Sequence, residues 1–303
     1  MSKGYIIHKA VELDKVKKKV RPDEQALVTG YLAQPKHDGC NMVAIKYSNH
    51  GSDHAPFDHI KFFSRTGEEV KSADHLKEAL SAPFFLPGVY LGEYWHPHID
   101  QPTVSGYFRD TKQQHPEPML VVFDWLTLVE WDNGVSDVPY EDRLRRLPEP
   151  VHLIDQNRAP VFLIETQGFL ADHDMSTEEA ARTFSEGGAY DGLILRNPNS
   201  GWRKGDLGTN GEIIKVKPTI TLDLRVVGIR KDVGEKTGRS VYVIVVALPD
   251  GKEQVVGSGV PFEYDEVPKE GSIVEIEAMS YSKYDLLREP RFKGIRHDKL
   301  EAD

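Results

Sequence analysis

A single cysteine, Cys40, in 303 residues is too few for an internal disulfide or a cysteine-based zinc site, so a metal, if bound, must be held by oxygen. No run of eighteen apolar residues occurs, and the opening MSKGYIIHKAVELDK breaks into charge before a signal-peptide core could form. A cytoplasmic protein without a membrane span is therefore expected. An excess of positive charge is also missing: 38 Lys and Arg against 48 Asp and Glu give a net charge of −10. That excludes coating of nucleic acid by bulk electrostatics and leaves only local basic clusters to do such work. Repeats and low-complexity tracts are absent, and 39% hydrophobic residues exclude bulk disorder. The length favours two domains.

Two segments run against the overall charge. Residues 9–21 (KAVELDKVKKKVR) carry six basic and two acidic side chains, and residues 283–299 carry six and three. Short apolar runs at 40–47, 88–94, 119–128, 161–166 and 191–196 (DGLILR) lie between turn signals and read as buried strands. Helical patterns fall at 70–80, 139–147 and 176–187, the last opened by Ser176 with Glu179 three residues on, a capping box. The stretch 96–118 reads as a long irregular loop. From Leu222 the texture changes to strands alone, five in the final stretch, which predicts a small closed barrel of the OB type. The boundary is placed at Pro218 to Ile220, giving domains 1–218 and 219–303.

Several polar residues occupy unusual places. Lys36, in QPKHDGCN, stands between a proline and an Asp-Gly turn just before an apolar strand. A lysine there is either a hairpin residue or a nucleophile, and with a free pKa near 10.4 only about one in a thousand is neutral near pH 7. Lys215 and Lys217, two apart in a strand, share one face, where they either protect a sheet edge or meet a polyphosphate. Glu93 in YLGEYW and Asp191 in YDGLILR interrupt apolar strands and could fix a ribose hydroxyl and a Mg²⁺ ion. Ser64-Arg65-Thr66-Gly67 is a turn that could add a hydroxyl and a bidentate phosphate binder. His50, Asp53, His54, Asp58 and His59 crowd one segment but read as a hairpin loop rather than a zinc site. Gly234-Glu235-Lys236-Thr237-Gly238 lacks the ending of a phosphate-binding P-loop and reads as a turn.

Taken in order, KHDG, SRTG, LGEYW, VFDWL, DGLILR, KVK and the closing REPRFKGIRHDK resemble the nucleotidyltransferase motifs of ATP-dependent DNA ligases, over Gln34 to Lys299. The small bacteriophage-type enzymes are most similar. The resemblance implies an α+β fold: a nucleotidyltransferase (adenylation) domain of antiparallel sheets with flanking helices, followed by an all-β OB-fold barrel. It implies sealing of 3′-hydroxyl/5′-phosphate nicks in duplex DNA, in replication, repair and recombination, by a monomer in a bacterial or phage-infected cell. Lys36 would take AMP from ATP, with Mg²⁺, or Mn²⁺ in its place, on Asp191 and Glu93. Lys215 and Lys217 would hold the α-phosphate, Glu93 the ribose, Phe123 would stack on adenine, and Gln34 would read its edge. Ser64, Arg65, Asn41, Ser105 and Arg109 would contact the nucleic acid. Arg288, Arg291, Arg296, Asp298 and Lys299 match the last motif, with Arg296 and Lys299 reaching the nucleotide, and Asp223 falls at the family's hinge.

Two positions depart from the family pattern. Asn41 replaces the usual arginine, as in RNA ligases of the 2 type, and Asp191 replaces the usual glutamate. The competing readings are an RNA ligase, an mRNA-capping nucleotidyltransferase, and a non-catalytic OB module binding single strands through Tyr242, Phe262, Tyr264, Tyr281, Tyr284 and Phe292.

Overall fold

A computed structural model describes residues 4–48, 59–147, 160–164, 166–186, 189–233, 238, 240–282 and 284–303. His50, Asp53, His54 and Asp58 of the His/Asp-rich segment lie outside these residues, as do residues 234–237 of the turn read as a failed P-loop. The chain divides into two compact units, Met1–Lys217 and Pro218–Asp303. Among the described residues, no helix is long and apolar enough to cross a membrane.

The first unit contains strands β1 (Leu32–His37), β2 (Cys40–Lys46), β3 (Ile60–Ser64), β4 (Gly88–Trp95), β5 (Met119–Leu126), β6 (Val135–Ser136), β7 (Val161–Leu163), β8 (Gln167–Phe169), β9 (Tyr190–Arg196), β10 (Trp202–Arg203) and β11 (Ile213–Val216). Its helices are α1 (Glu24–Gly30), α2 (Asp74–Ser81), α3 (Gln101–Arg109), α4 (Leu128–Asn133), α5 (Tyr140–Leu144) and α6 (Thr177–Ser185). Two sheets result, ordered β3-β2-β4-β5-β7 and β11-β9-β1-β8. Both faces of the five-stranded sheet are covered. Met42 and Ala44 of β2 pack with Leu76, Leu80, Val104 and Phe108 of α2 and α3, whereas Val43 and Ile45 face Trp131 and Trp202. Burial on both sides is why these strands read as continuous apolar runs instead of alternating ones. The four-stranded sheet differs: Ala33, Leu193, Leu195 and Ile214 face α1 and α6, and their alternates face a cavity.

Residues 96–118 are not an irregular loop. Gln101–Arg109 forms α3, capped by the Asp100 carboxylate accepting from the Thr103 N–H (2.9 Å), with Pro102 in the first turn where no amide donor is needed. Val104 and Phe108, four apart, anchor it to the core. At α6, Ser176 accepts from the Glu179 N–H (3.2 Å), one of the two bonds of the expected box. The complete box is at α4, between Thr127 and Glu130.

The second unit contains β12 (Ile220–Val233), β13 (Ser240–Ala247), β14 (Glu253–Val256), β15 (Ile273–Ala278), β16 (Ser280–Tyr281), β17 (Leu287–Arg288) and β18 (Arg291–Ile295). The five-strand order is β14-β13-β12-β15-β18. β12 pairs with β15 through its first half and with β13 through its second, bending at a bulge where Val227 is the extra residue. Among the described residues the sheet is not closed by a continuous ladder, as the barrel expectation required. Its edges meet at one parallel bridge, Ser258 to Arg291, with the Phe292 N–H donating to the Ser258 carbonyl (2.8 Å).

Candidate active site

The face of the four-stranded sheet turned away from α1 and α6 carries Gln34, Ile194 and Lys215 as neighbours in register, with Ile213 beside Arg196. All five line a cavity of about 790 Å³, as do Lys36, Lys217, Glu93 and Phe123. Every lining residue belongs to the first unit.

Lys36 stands at a register break. Pro35 pairs with Leu193 and His37 with Tyr190, so two residues of β9, Asp191 and Gly192, oppose the single Lys36. Such a bulge re-aims a side chain, here bringing the Lys36 Nζ to 2.7 Å from the Asp191 carboxylate. Gly192 has φ +120, and a Cβ there would fall against the Val216 carbonyl, so the position accepts only glycine. Lys217 reaches the same Asp191 oxygen at 3.3 Å, and Lys215 is held by Glu12 at 3.1 Å. Burial pushes the Asp191 carboxyl up, but Lys36 and Lys217 outweigh it and hold the group below the usual carboxylate range. Next to Lys36 in the chain, His37 is packed edge-on against Trp95 and Tyr190. Burial drives its pKa down to about 3, so at neutral pH it puts no second positive charge beside Lys36.

The five-stranded sheet supplies the opposite wall. Glu93 and Asn41 are cross-strand partners. Burial pushes the Glu93 carboxyl up to about 7, against the pull of Lys36. The Asn41 amide opposes that rise slightly, and its Oδ1 is buried with no hydrogen-bond partner among the described residues. Phe123 is itself a bulge residue, because Leu91 pairs with Asp124 and Gly92 with Val122. Ser64 Oγ accepts from the Thr66 and Glu68 amides and shapes the turn that carries Arg65 to the cavity. Ser105 and Arg109 also line it, but from α3, with Arg109 donating back to Ser105 Oγ (2.7 Å).

Gln34 occupies its expected place, yet its amide is not open to read a base edge. The side chain is 1% exposed; Nε2 donates to Tyr140 Oη (2.7 Å) and Thr166 Oγ1 (2.8 Å), and Oε1 accepts from Arg196 Nε (3.0 Å). The direction is forced, since Arg196 can only donate and Tyr140 donates onward to the Phe123 carbonyl (2.7 Å). The Arg196 guanidinium also lies 4.6 Å from the Phe123 ring centroid. Sequence reasoning gave Arg196 and Tyr140 no role; the available signal was Arg196 alternating with Ile194 in DGLILR. Behind this layer Arg143 clamps Asp124 with two bonds (2.8 and 2.9 Å), both side chains almost wholly buried.

In the second unit, Asp223 is 4% exposed and accepts both Arg296 (2.9 and 3.0 Å) and Lys299. Arg296 also grips Asp298. Arg288 and Arg291 stand on β17 and β18. Of the six aromatics considered for stacking, Phe262, Tyr264, Tyr281 and Tyr284 are exposed.

No protein-family model matches the chain. A DNA ligase of Natronomonas pharaonis is 26% identical over 309 residues, covering 89% of this chain and 52% of that protein. Among solved structures, Pmar-Lig_PreS3 matches with a TM-score of 0.69 at 20% identity, covering 96% of this chain and 68% of the other. The ATP-dependent DNA ligase of bacteriophage T7, in complex with ATP, matches with a TM-score of 0.52 at 16% identity over 96% and 98% of the two chains. The fold is that of the ATP-dependent DNA ligases. The likeness in fold extends over 96% of the chain. In this ligase fold the expected nucleophile, acids and paired lysines come from two facing sheets. The chain spans about half the length of the curated ligase it matches.

Proposed function

We propose that the protein is an ATP-dependent DNA ligase that seals nicks through an AMP carried on Lys36. The observation that carries this reading is the Lys36–Asp191–Lys217 cluster at a bulge, whose two lysines line a cavity shared with Lys215, Glu93 and Phe123. Lys36 Nζ, after giving one proton to solvent, attacks the α-phosphorus of ATP; an N–P bond forms, the P–O bond to pyrophosphate breaks, pyrophosphate leaves, and a second amine proton passes to solvent. AMP then passes to the 5′-phosphate at a nick, and the neighbouring 3′-hydroxyl displaces it. Each step is a phosphoryl transfer in which positioning and cations carry the catalysis. Lys215 and Lys217 neutralise the α-phosphate once they exchange Glu12 and Asp191 for it. Glu93 accepts from the ribose, Phe123 offers its ring to the base, and the Gln34 network keeps that ring and strand in place. Arg65, Ser105 and Arg109 contact the strand around the nick.

Asp191 and Glu93 fit Mg²⁺, which takes one or two carboxylates and completes its shell with phosphate oxygens and water. Bound there, the ion would neutralise phosphate charge. Asp191, shared in this structure between two ammonium groups, and Glu93 are the carboxylates that would hold it. In the second unit, Arg296 and Lys299 act on pyrophosphate after leaving Asp223.

Asn41 favours a second reading, a ligase for RNA strands, because its orphaned Oδ1 can accept from a hydroxyl. Sealing of matched nicked duplexes, all-DNA and with RNA on either side of the nick, tests both. ATP-dependent sealing of the DNA nick is expected. Sealing confined to nicks with a ribonucleotide end would overturn the DNA reading, and sealing of neither would overturn both.

A further inference from the structure

Lys9 belongs to a basic stretch that the mechanism leaves unused. The segment that carries it is pinned along its length: the Ile6 N–H donates to the Arg65 carbonyl (2.9 Å), Gly205 to Ile7 (3.1 Å), Lys9 to Asp206 (2.9 Å) and Gly208 to Lys9 (2.8 Å). These bonds fix Lys9 and Arg65 on the cavity wall. Lys9 Nζ donates to Tyr5 Oη (3.1 Å) and lies 4.4 Å from that ring's centroid; the Arg65 guanidinium stands 5.8 Å from the same centroid. One aromatic ring thus braces two cations.

Lys36 and Lys217 share Asp191, and Lys215 holds Glu12, but among the described residues neither Lys9 nor Arg65 forms an ion pair with a carboxylate. Both cations are held against one ring, on a wall that also carries Glu68, Glu69 and Glu93, and an anion that enters the cavity meets two groups not committed to a carboxylate partner. A point-charge ammonium beside a forked guanidinium suits a tetrahedral oxyanion.

We propose that Lys9, braced by the Tyr5 ring that Arg65 also contacts, forms with Arg65 a phosphate subsite on the cavity wall. This rests on the ligase reading for its two sources of phosphate, the backbone of the nicked strand and the phosphates of ATP. The test uses the full chain, with Lys9→Met, Lys9→Arg and Tyr5→Phe as variants. Lys18→Met, in the same basic stretch but outside the cavity, serves as control.

Binding to a labelled nicked duplex over a salt series is the first arm, and the KM for ATP in self-adenylation without DNA is the second. If the phosphate is the strand's, Lys9→Met lowers the slope of log affinity against log salt by about 0.9, one contact, while Lys9→Arg restores it. Tyr5→Phe, which keeps the ring and loses the hydroxyl, gives a smaller drop. If the phosphate is the nucleotide's, the KM for ATP rises severalfold in Lys9→Met instead. An unchanged slope together with an unchanged KM, or an equal drop in Lys18→Met, overturns the subsite. A wild-type chain that fails to self-adenylate would sink the ligase reading, while the salt series would still report on Lys9.

Discussion

Glu93 should make the first unit less stable as pH rises, and Glu93→Gln should remove that loss. Burial raises the carboxyl from 4.5 to about 7, so between these values the folded state holds a proton that the unfolded chain has released. Folding stability therefore falls as pH rises through this window, and the penalty is fully present above it. A difference of 2.5 units corresponds to about 3.4 kcal/mol, an upper bound because relaxation and water entry reduce it. Asp191 has the opposite sign: held low by its lysines, it contributes stability above its unfolded pKa that is lost as pH falls through the folded one. The wild type minus variant difference cancels that term. All four tryptophans, at 95, 125, 131 and 202, lie in the first unit, so urea unfolding followed by tryptophan fluorescence reports on it alone. The variant should match the wild type near pH 4.5, gain over it up to pH 8, and self-adenylate poorly. Parallel stability curves across that range would refute the burial argument.

The buried Arg143–Asp124 clamp should be costly to break from one side. Arg143→Leu is expected to destabilise by about 3–5 kcal/mol in the same assay, and the double change with Asp124→Leu by less, because no charge is left unpaired. Gly192→Ala should cost about 1–3 kcal/mol from the backbone alone and depress self-adenylation, since the new Cβ pushes away the end of β11 and Lys217 just after it; thermal melting and label incorporation check both. Asp100→Ala should cost about 1 kcal/mol by uncapping α3 and weaken nick binding through Ser105 and Arg109, measured by melting and by band shift.

Much of this was legible in the residues. Lys36 stood out because a long cation before an apolar strand demands an explanation, and the strand pattern around Glu93 and Asp191 located both acids. Register was not legible. The bulges at Lys36 and Phe123 exist only once β9 and β5 have partners, because a bulge is a property of a pair of strands. Helix α3 was hidden because Pro102 and Gly106 look like breakers, although Pro102 sits where proline is tolerated. The network around Gln34 was not legible: the three groups that hold its amide come from residues 140, 166 and 196, distances in sequence that periodicity cannot bridge. The second unit's strands were plain from their turns, whereas a closure made by one bridge at Ser258 leaves no pattern.

The central claim is that Lys36 forms a bond to AMP. Incubation of the full chain with α-labelled ATP and Mg²⁺, without nucleic acid, followed by a denaturing gel beside Lys36→Ala, tests it directly. A labelled band that pyrophosphate discharges and that Lys36→Ala lacks is the predicted result. No band from wild-type protein, even after pyrophosphate treatment to strip bound AMP, or an equal band from Lys36→Ala, would contradict it.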